Sequence, residues 1–255
     1  MLLLMACGNR NGDSDISFET VTSDKTVVLS NDENSPSCRV HLKLEEATPE
    51  AGHRGELINE AIIKKFLDPH GEKDMKTAVR KFTNTYIDNY KKTMLPLYNQ
   101  DRNDPKKRAW YEFHYILETA TQKGAKNIMT YLVTIDYYEG GAHGVNLLQT
   151  LNFNMSTGLL LTLNDIFASG YEQPLKEILM KALKAKTGCT TIRALREKGY
   201  LRAMELFPSE NFILDSETIT FIYNPSEIAS YELGSIQLVI PYNEVSRLIK
   251  NSSDL

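Results

Sequence analysis

The first regular pattern lies between Ile16 and Ser30. Thr, Val and Ile are frequent there and Phe18, Val21 and Val27 to Leu29 are apolar, which predicts a strand or a strand pair. Cys38, Val40, Leu42 and Leu44 then alternate with Arg39, His41, Lys43 and Glu45, the signature of a half-buried strand. From Glu56 to Leu67 the period lengthens. Leu57, Ile58, Ala61, Ile62 and Phe66 fall at helical spacing, and Asp68-Pro69-His70-Gly71 supplies the stop. Asp74 is placed to cap a longer helix whose apolar stripe runs through Met75, Val79, Phe82, Tyr86, Tyr90 and Met94 up to Pro96. The charged stretch from Asn99 to Arg108 reads as an internal joint.

Three long strands are expected next, over Trp110 to Thr121, Asn127 to Tyr138 and Val145 to Met155. Their connections are short, so they should pair antiparallel as a meander. Ser156-Thr157-Gly158 turns the chain into Leu159 to Leu163 and Asn164 to Phe167, and a third helix runs over Glu172 to Lys186, with Gly188 stopping it. Thr191 to Leu206 is helix-prone but weakly patterned. Phe212 to Leu214, Thr218 to Tyr223 and Ser235 to Ile240 read as short strands, and Tyr242 to Ile249 as a closing helix. Strands in groups with helices between them predict an α+β fold, an antiparallel sheet with helices packed mainly on one face. The expected organisation is a tether over 1–15, an N-terminal α+β part over 16–122 and a C-terminal one over 123–255, packed as one compact unit.

Composition removes several classes of function. The chain of 255 residues carries 29 basic and 33 acidic side chains, so no strong field marks a nucleic-acid binder. No run approaches the ~18 apolar residues that a membrane-spanning helix needs. The opening Leu4-Met5-Ala6-Cys7 looks like a bacterial lipobox, with Cys7 the residue that would carry the lipid and Gly8 to Asp15 a polar tether. The basic n-region and full apolar stretch of a signal peptide are missing before it, which suggests a true start further upstream. On this reading the protein is held in the cell envelope by lipid alone, facing the periplasm or the outside. Cys38 and Cys189 are then left. They could pair in an oxidising compartment, but the apolar setting of Cys38 favours two buried, unpaired thiols.

Two strings stand out as candidate chemistry. Tyr137-Tyr138-Glu139-Gly140-Gly141-Ala142-His143-Gly144 compresses three glycines and a histidine into a hairpin loop. Glycine permits positive φ and close approach, while His143 could move a proton or anchor a ligand; the structural alternative is a tight turn whose histidine caps a carbonyl. The five histidines show no H-E-x-x-H spacing and the cysteines no paired zinc pattern. No G-x-S-x-G elbow, phosphate loop or dinucleotide fingerprint is present, so neither a metal, a cofactor nor a catalytic residue is assigned. The second string runs from Phe221 through Asn224-Pro225 and Tyr231 to Pro241-Tyr242, joining two strands by a tyrosine-bearing loop suited to recognition of a protein or sugar. Its alternative is a rigid connector with tyrosines packed back on the sheet. The candidate binding set is Tyr137, Gly140, Gly141, His143, Gly144, Asn224, Pro225, Tyr231 and Tyr242.

Together with Leu163-Asn164-Asp165-Ile166-Phe167, these strings give the chain its resemblance to the paired domains of unknown function of bacterial envelope proteins. Such domains occur in the extracytoplasmic region of the lysozyme-sensing anti-sigma factor RsiV and the N-terminal region of the peptidoglycan deacetylase PdaC. The resemblance implies an α+β fold, an extracytoplasmic place and a receptor-like role. The chain departs from those relatives in having no sigma-binding segment and no deacetylase motifs. The expectation is a non-enzymatic lipoprotein that binds a lysozyme-like protein or a peptidoglycan fragment. A wall-glycan enzyme using His143 as general acid or base, and a structural partner in envelope assembly, are the alternatives.

Overall fold

The computed structural model describes residues 16–68 and 70–250; Cys7, the expected tether and Pro69 lie outside the described residues. Two sheets form. The larger has the order β1-β2-β3-β4-β5-β6, from β1 (Phe18–Val28), β2 (Ser37–Ala47), β3 (Phe113–Lys123), β4 (Ile128–Tyr138), β5 (Val145–Asn154) and β6 (Leu160–Leu161). The smaller contains β7 (Phe212–Leu214), β8 (Thr218–Tyr223) and β9 (Ile236–Pro241). The helices are α1 (His53–Phe66), α2 (Met75–Asp101), α3 (Leu163–Ile166), α4 (Glu172–Thr187), α5 (Ile192–Glu197) and α6 (Tyr242–Val245). The fold is therefore mixed α+β, mostly antiparallel, with helices packed against the sheets, as the periodicity predicts.

Alternation decides which face of the large sheet is covered. Cys38, Val40, Leu42 and Leu44 of β2 share a face with Leu117, Val133, Leu151 and Phe153, and all are buried with Ile58 and Ile62 of α1 and Val79 and Ile87 of α2. The opposite face of β2 carries Arg39, His41 and Lys43, where Arg39 and His41 both bind Asp24, at 2.8 and 2.9 Å. Over β4 and β5 that opposite face meets the second unit instead. Thr150 Oγ1 and Asn152 Nδ2 each donate to Phe212 O at 2.8 Å, and Asn211 Nδ2 donates to Leu148 O at 2.7 Å. Polar side chains thus join the two units where apolar packing is interrupted.

Four local differences have physical causes. β2 and β3 pair in parallel, because α1 and α2 lie between them in sequence and carry the chain back to the same end. α2 runs past Pro96 to Asp101; the proline removes one intrahelical bond near the end, while Tyr98 packs edge-on against Tyr111 and keeps the last turn in place. Asn99 to Arg108 is no joint. Lys107 and Tyr111 both bind Asp101, at 2.7 and 2.8 Å, and Arg108 donates to Asn34 O, fastening the segment to its own unit. The closing helix is only Tyr242–Val245, after which Ala168 N and Lys250 N make main-chain bonds between the tail and the α3 region.

The boundary expected between residues 122 and 123 falls at the β3–β4 hairpin, whose strands pair from His114↔Tyr138 to Lys123↔Met129. The two hydrophobic clusters part further on: the first ends at Met155, and the second, apart from Ile128 at the start of β4, begins at Leu161. Gly158 marks the parting: at φ 76, a Cβ there would run into the backbone of Arg54 at the start of α1. Cys38 and Cys189 are buried, free and in different clusters.

Candidate functional site

The β4–β5 hairpin belongs to the large sheet and the loop from Asn224 to Gly234 to the small one, yet they meet. Gly140 and Gly141 take φ of 82 and 100, which turns the chain back within a short loop. At Gly140 a Cβ would lie 2.8 Å from Trp110 O, so the loop also needs a bare backbone to sit on the segment before β3. Tyr138 braces the turn by donating to Gly141 O at 2.9 Å. The result presents His143 to solvent.

The tyrosine loop is anchored before it reaches the hairpin. Asn224 is buried; its Oδ1 accepts from Leu148 N of β5 at 2.8 Å and its N–H donates to Glu227 Oε2 at 2.9 Å. Pro225 follows in the turn, and Ser230 N then binds Gly199 O at 2.9 Å. Tyr231 emerges at the start of a single 3-10 turn that ends at Gly234. Its ring stacks on His143 with centroids 4.1 Å apart and planes 23° from parallel. Its hydroxyl donates to Gly144 O at 3.0 Å, and His143 Nδ1 lies 3.1 Å from the same oxygen. If Nδ1 carries the proton for that carbonyl, Nε2 is left as an acceptor.

His143, Gly144 and Tyr231 are therefore brought together, with Gly140, Gly141, Asn224 and Pro225 shaping the backbones that hold them. Both structural alternatives are partly realised: the histidine does face a carbonyl, and Tyr231 packs on the hairpin while staying 37% exposed. Tyr137 sits apart on the helix-covered face, stacked on Tyr115 at 6.1 Å. Tyr242 is at the far end of β9, where its half-buried side chain donates to Asp215 O at 2.7 Å and desolvation pushes its pKa up.

Some neighbours were not singled out by sequence pattern. Trp110, in the 3-10 turn before β3 whose backbone lies against Gly140, is 53% exposed, and Leu233, close in sequence to Tyr231, is 39% exposed. Glu139 accepts from Tyr86 at 2.7 Å. Burial first, and that carboxylate second, push the Tyr86 hydroxyl up; the same two causes raise Cys38 to about 12. Glu139 lay inside the glycine string, but nothing local indicated that α2 would reach it. The strand expected from Trp110 begins only at Phe113, and Trp110 lies in the 3-10 turn before it.

Chemically the arrangement offers stacking surface, an imidazole nitrogen and exposed backbone. Among the described residues no carboxylate or nucleophilic hydroxyl is bonded to His143, and no group of three His, Cys, Asp or Glu is placed to hold a metal ion. No helix of the described residues is long and apolar enough to cross a membrane.

Residues 164–243 match the model of a protein family of unknown function, DUF3298. The whole chain is similar to the crystal structure of a DUF3298 member from Bacteroides fragilis, with a TM-score of 0.85 and 27% identity over 94% of this chain and 96% of that one. It shares its fold with a DUF3298 family protein from Pseudomonas aeruginosa, at a TM-score of 0.62 and 14% identity over 92% and 96%. No curated protein matches the chain. The hairpin with His143 precedes the matched segment, and Asn224, Pro225, Tyr231 and Tyr242 lie within it. Over residues 164–243 the chain is thus similar to the DUF3298 family, and over nearly all its length to the fold of that family's solved members.

Proposed function

We propose that the His143 hairpin and the Tyr231 loop form one recognition surface, by which a lipid-anchored envelope protein binds a lysozyme-like protein or a peptidoglycan fragment without chemical turnover. The observation that carries this reading is the stack of Tyr231 on His143, locked by the bond from the Tyr231 hydroxyl to Gly144 O. Two segments 87 residues apart are held rigid at an exposed rim, so little side-chain entropy remains to be lost on binding. Exposed Trp110 and Leu233 add apolar area of the kind that anchors interfaces. Flat aromatic faces beside hydrogen-bonding groups also suit a sugar ring.

Support for the envelope setting comes from the lipobox-like Leu4 to Cys7 and from the family resemblance. The test is isothermal calorimetry of the full chain with hen lysozyme and with purified muropeptides. Micromolar or tighter binding of one of them, weakened about tenfold or more by Tyr231→Ala, is expected, since losing such an anchor costs upwards of ~1.4 kcal/mol. No heat with either ligand, or binding indifferent to Tyr231→Ala and His143→Ala, overturns the proposal.

A further inference from the structure

The small sheet treats its two edges differently. Along β7 the outward carbonyls are taken up: Phe212 O accepts from Thr150 and Asn152 at 2.8 Å, and Leu214 O accepts from Ala125 N at 2.9 Å. Along β9 they are not. Tyr242 N donates to Glu217 O across the end of the β8–β9 pair, so in antiparallel alternation Ile240, Leu238 and Ile236 turn their N–H and C=O toward β8. Gln237 and Val239 turn theirs outward. Among the described residues nothing bonds those main-chain groups.

A groove of about 330 Å³ runs beside this edge, between β9 and the flank of α4. On the helix side it is lined by Lys181, Ala182, Ala185 and Lys186, and Glu244 closes one end. The alanines leave the space that longer side chains would fill. Val239 is 55% exposed over the strand. Lys181 pairs with Glu244 at 3.1 Å on an exposed surface, whereas Lys186 makes no ion pair among the described residues.

We propose that this groove is a β-augmentation site, in which an extended peptide bearing carboxylates pairs with β9 as a fourth strand of the small sheet. A strand laid ~4.8 Å from β9 would occupy the space between it and α4. Gln237 and Val239 each offer one N–H and one C=O to it, and Pro241, lacking an N–H, ends the pairing. Alternate peptide side chains then fall against Ala182 and Ala185, and acidic ones meet Lys181 and Lys186. The positive flank selects an acidic occupant over a basic one. This site is separate from the His143 rim and does not depend on that reading.

The test is selection of a random octapeptide library, displayed on phage, on the full chain, followed by binding of the enriched peptides to variants. Enrichment of sequences alternating apolar and acidic residues is expected, with amide exchange at Gln237 and Val239 slowed at least tenfold by the bound peptide. Val239→Pro removes an outward N–H and leaves the β8 pairs intact; it should weaken binding at least tenfold with an unchanged circular dichroism spectrum. Lys186→Glu, an exposed change that leaves the fold intact, should weaken it several-fold. Failure to enrich acidic sequences, enrichment of basic ones, or equal binding to the parent and both variants overturns the proposal.

Discussion

The two units of this protein reach stability by different means. The first, around β1 to β6, has strands of ten or eleven residues from β1 to β5 and a 27-residue helix, and its core repeats at regular intervals along each element. The second is assembled from short pieces: strands of three and six residues, a four-residue helix with a capping box at Thr162 and Asp165, and loops tied by side-chain bonds such as Tyr223 to Phe207 O at 2.6 Å. Long periodic elements are strongly marked in sequence and tolerant of local change. Short ones depend on particular polar contacts, and the candidate site sits where a hairpin of the first kind of structure meets a loop of the second.

Truncating one buried ring in each unit tests how independent they are. Phe153→Ala and Phe221→Ala both remove fully buried side chains and should each cost about 3–5 kcal/mol. Because the polar seam from β5 to β7 couples the units, both variants should still unfold in a single calorimetric transition. Two separated transitions in either one would make the units thermodynamically distinct.

The seam itself is the next target. Asn211→Ala deletes the donor to Leu148 O at the seam, so a loss of about 1–3 kcal/mol is expected by urea unfolding. Amide exchange in the 224–234 loop should accelerate with it, since Asn224 is anchored to the neighbouring Leu148 N. Unchanged exchange there would mean that the loop is positioned without the seam.

The smallest effect, visible only in alkali, comes from a buried acid of the first unit. Cys38 is held protonated to about 12 against an ordinary 9.0, by burial and then by Glu139. The folded state keeps a proton that the unfolded chain releases, so this contribution is complete below pH 9 and is lost as pH rises from 9 to 12. Tyr90 and Tyr131 of the first unit are raised by desolvation and act in the same direction. Urea unfolding of Cys38→Ala should show a shallower fall over that interval than the parent. An equal slope would contradict the assignment.

The same contrast explains what the sequence made legible. Alternation from Cys38 to Leu44 and the stripe from Met75 to Met94 follow from periods of two and about 3.6, so β2 and α2 could be read locally. The parallel pairing of Cys38 with Phe113 joins segments whose connection is two helices long, and no local period encodes it. Nor does local pattern show that Leu163 to Ile249 closes a core of its own. At the candidate site, each half was visible as an unusual string. Their meeting was not, because it depends on Asn224 capping Leu148 N, a contact across 76 residues.

A double-mutant cycle on His143 and Tyr231, read out as affinity for whichever of lysozyme or muropeptide binds, tests the central claim most directly. If the two rings form one surface, Tyr231→Ala and His143→Ala will each weaken binding and the double variant will lose clearly less than the sum, with a coupling of at least ~0.5 kcal/mol. Strictly additive losses, or no loss in either single variant, would contradict a shared recognition surface.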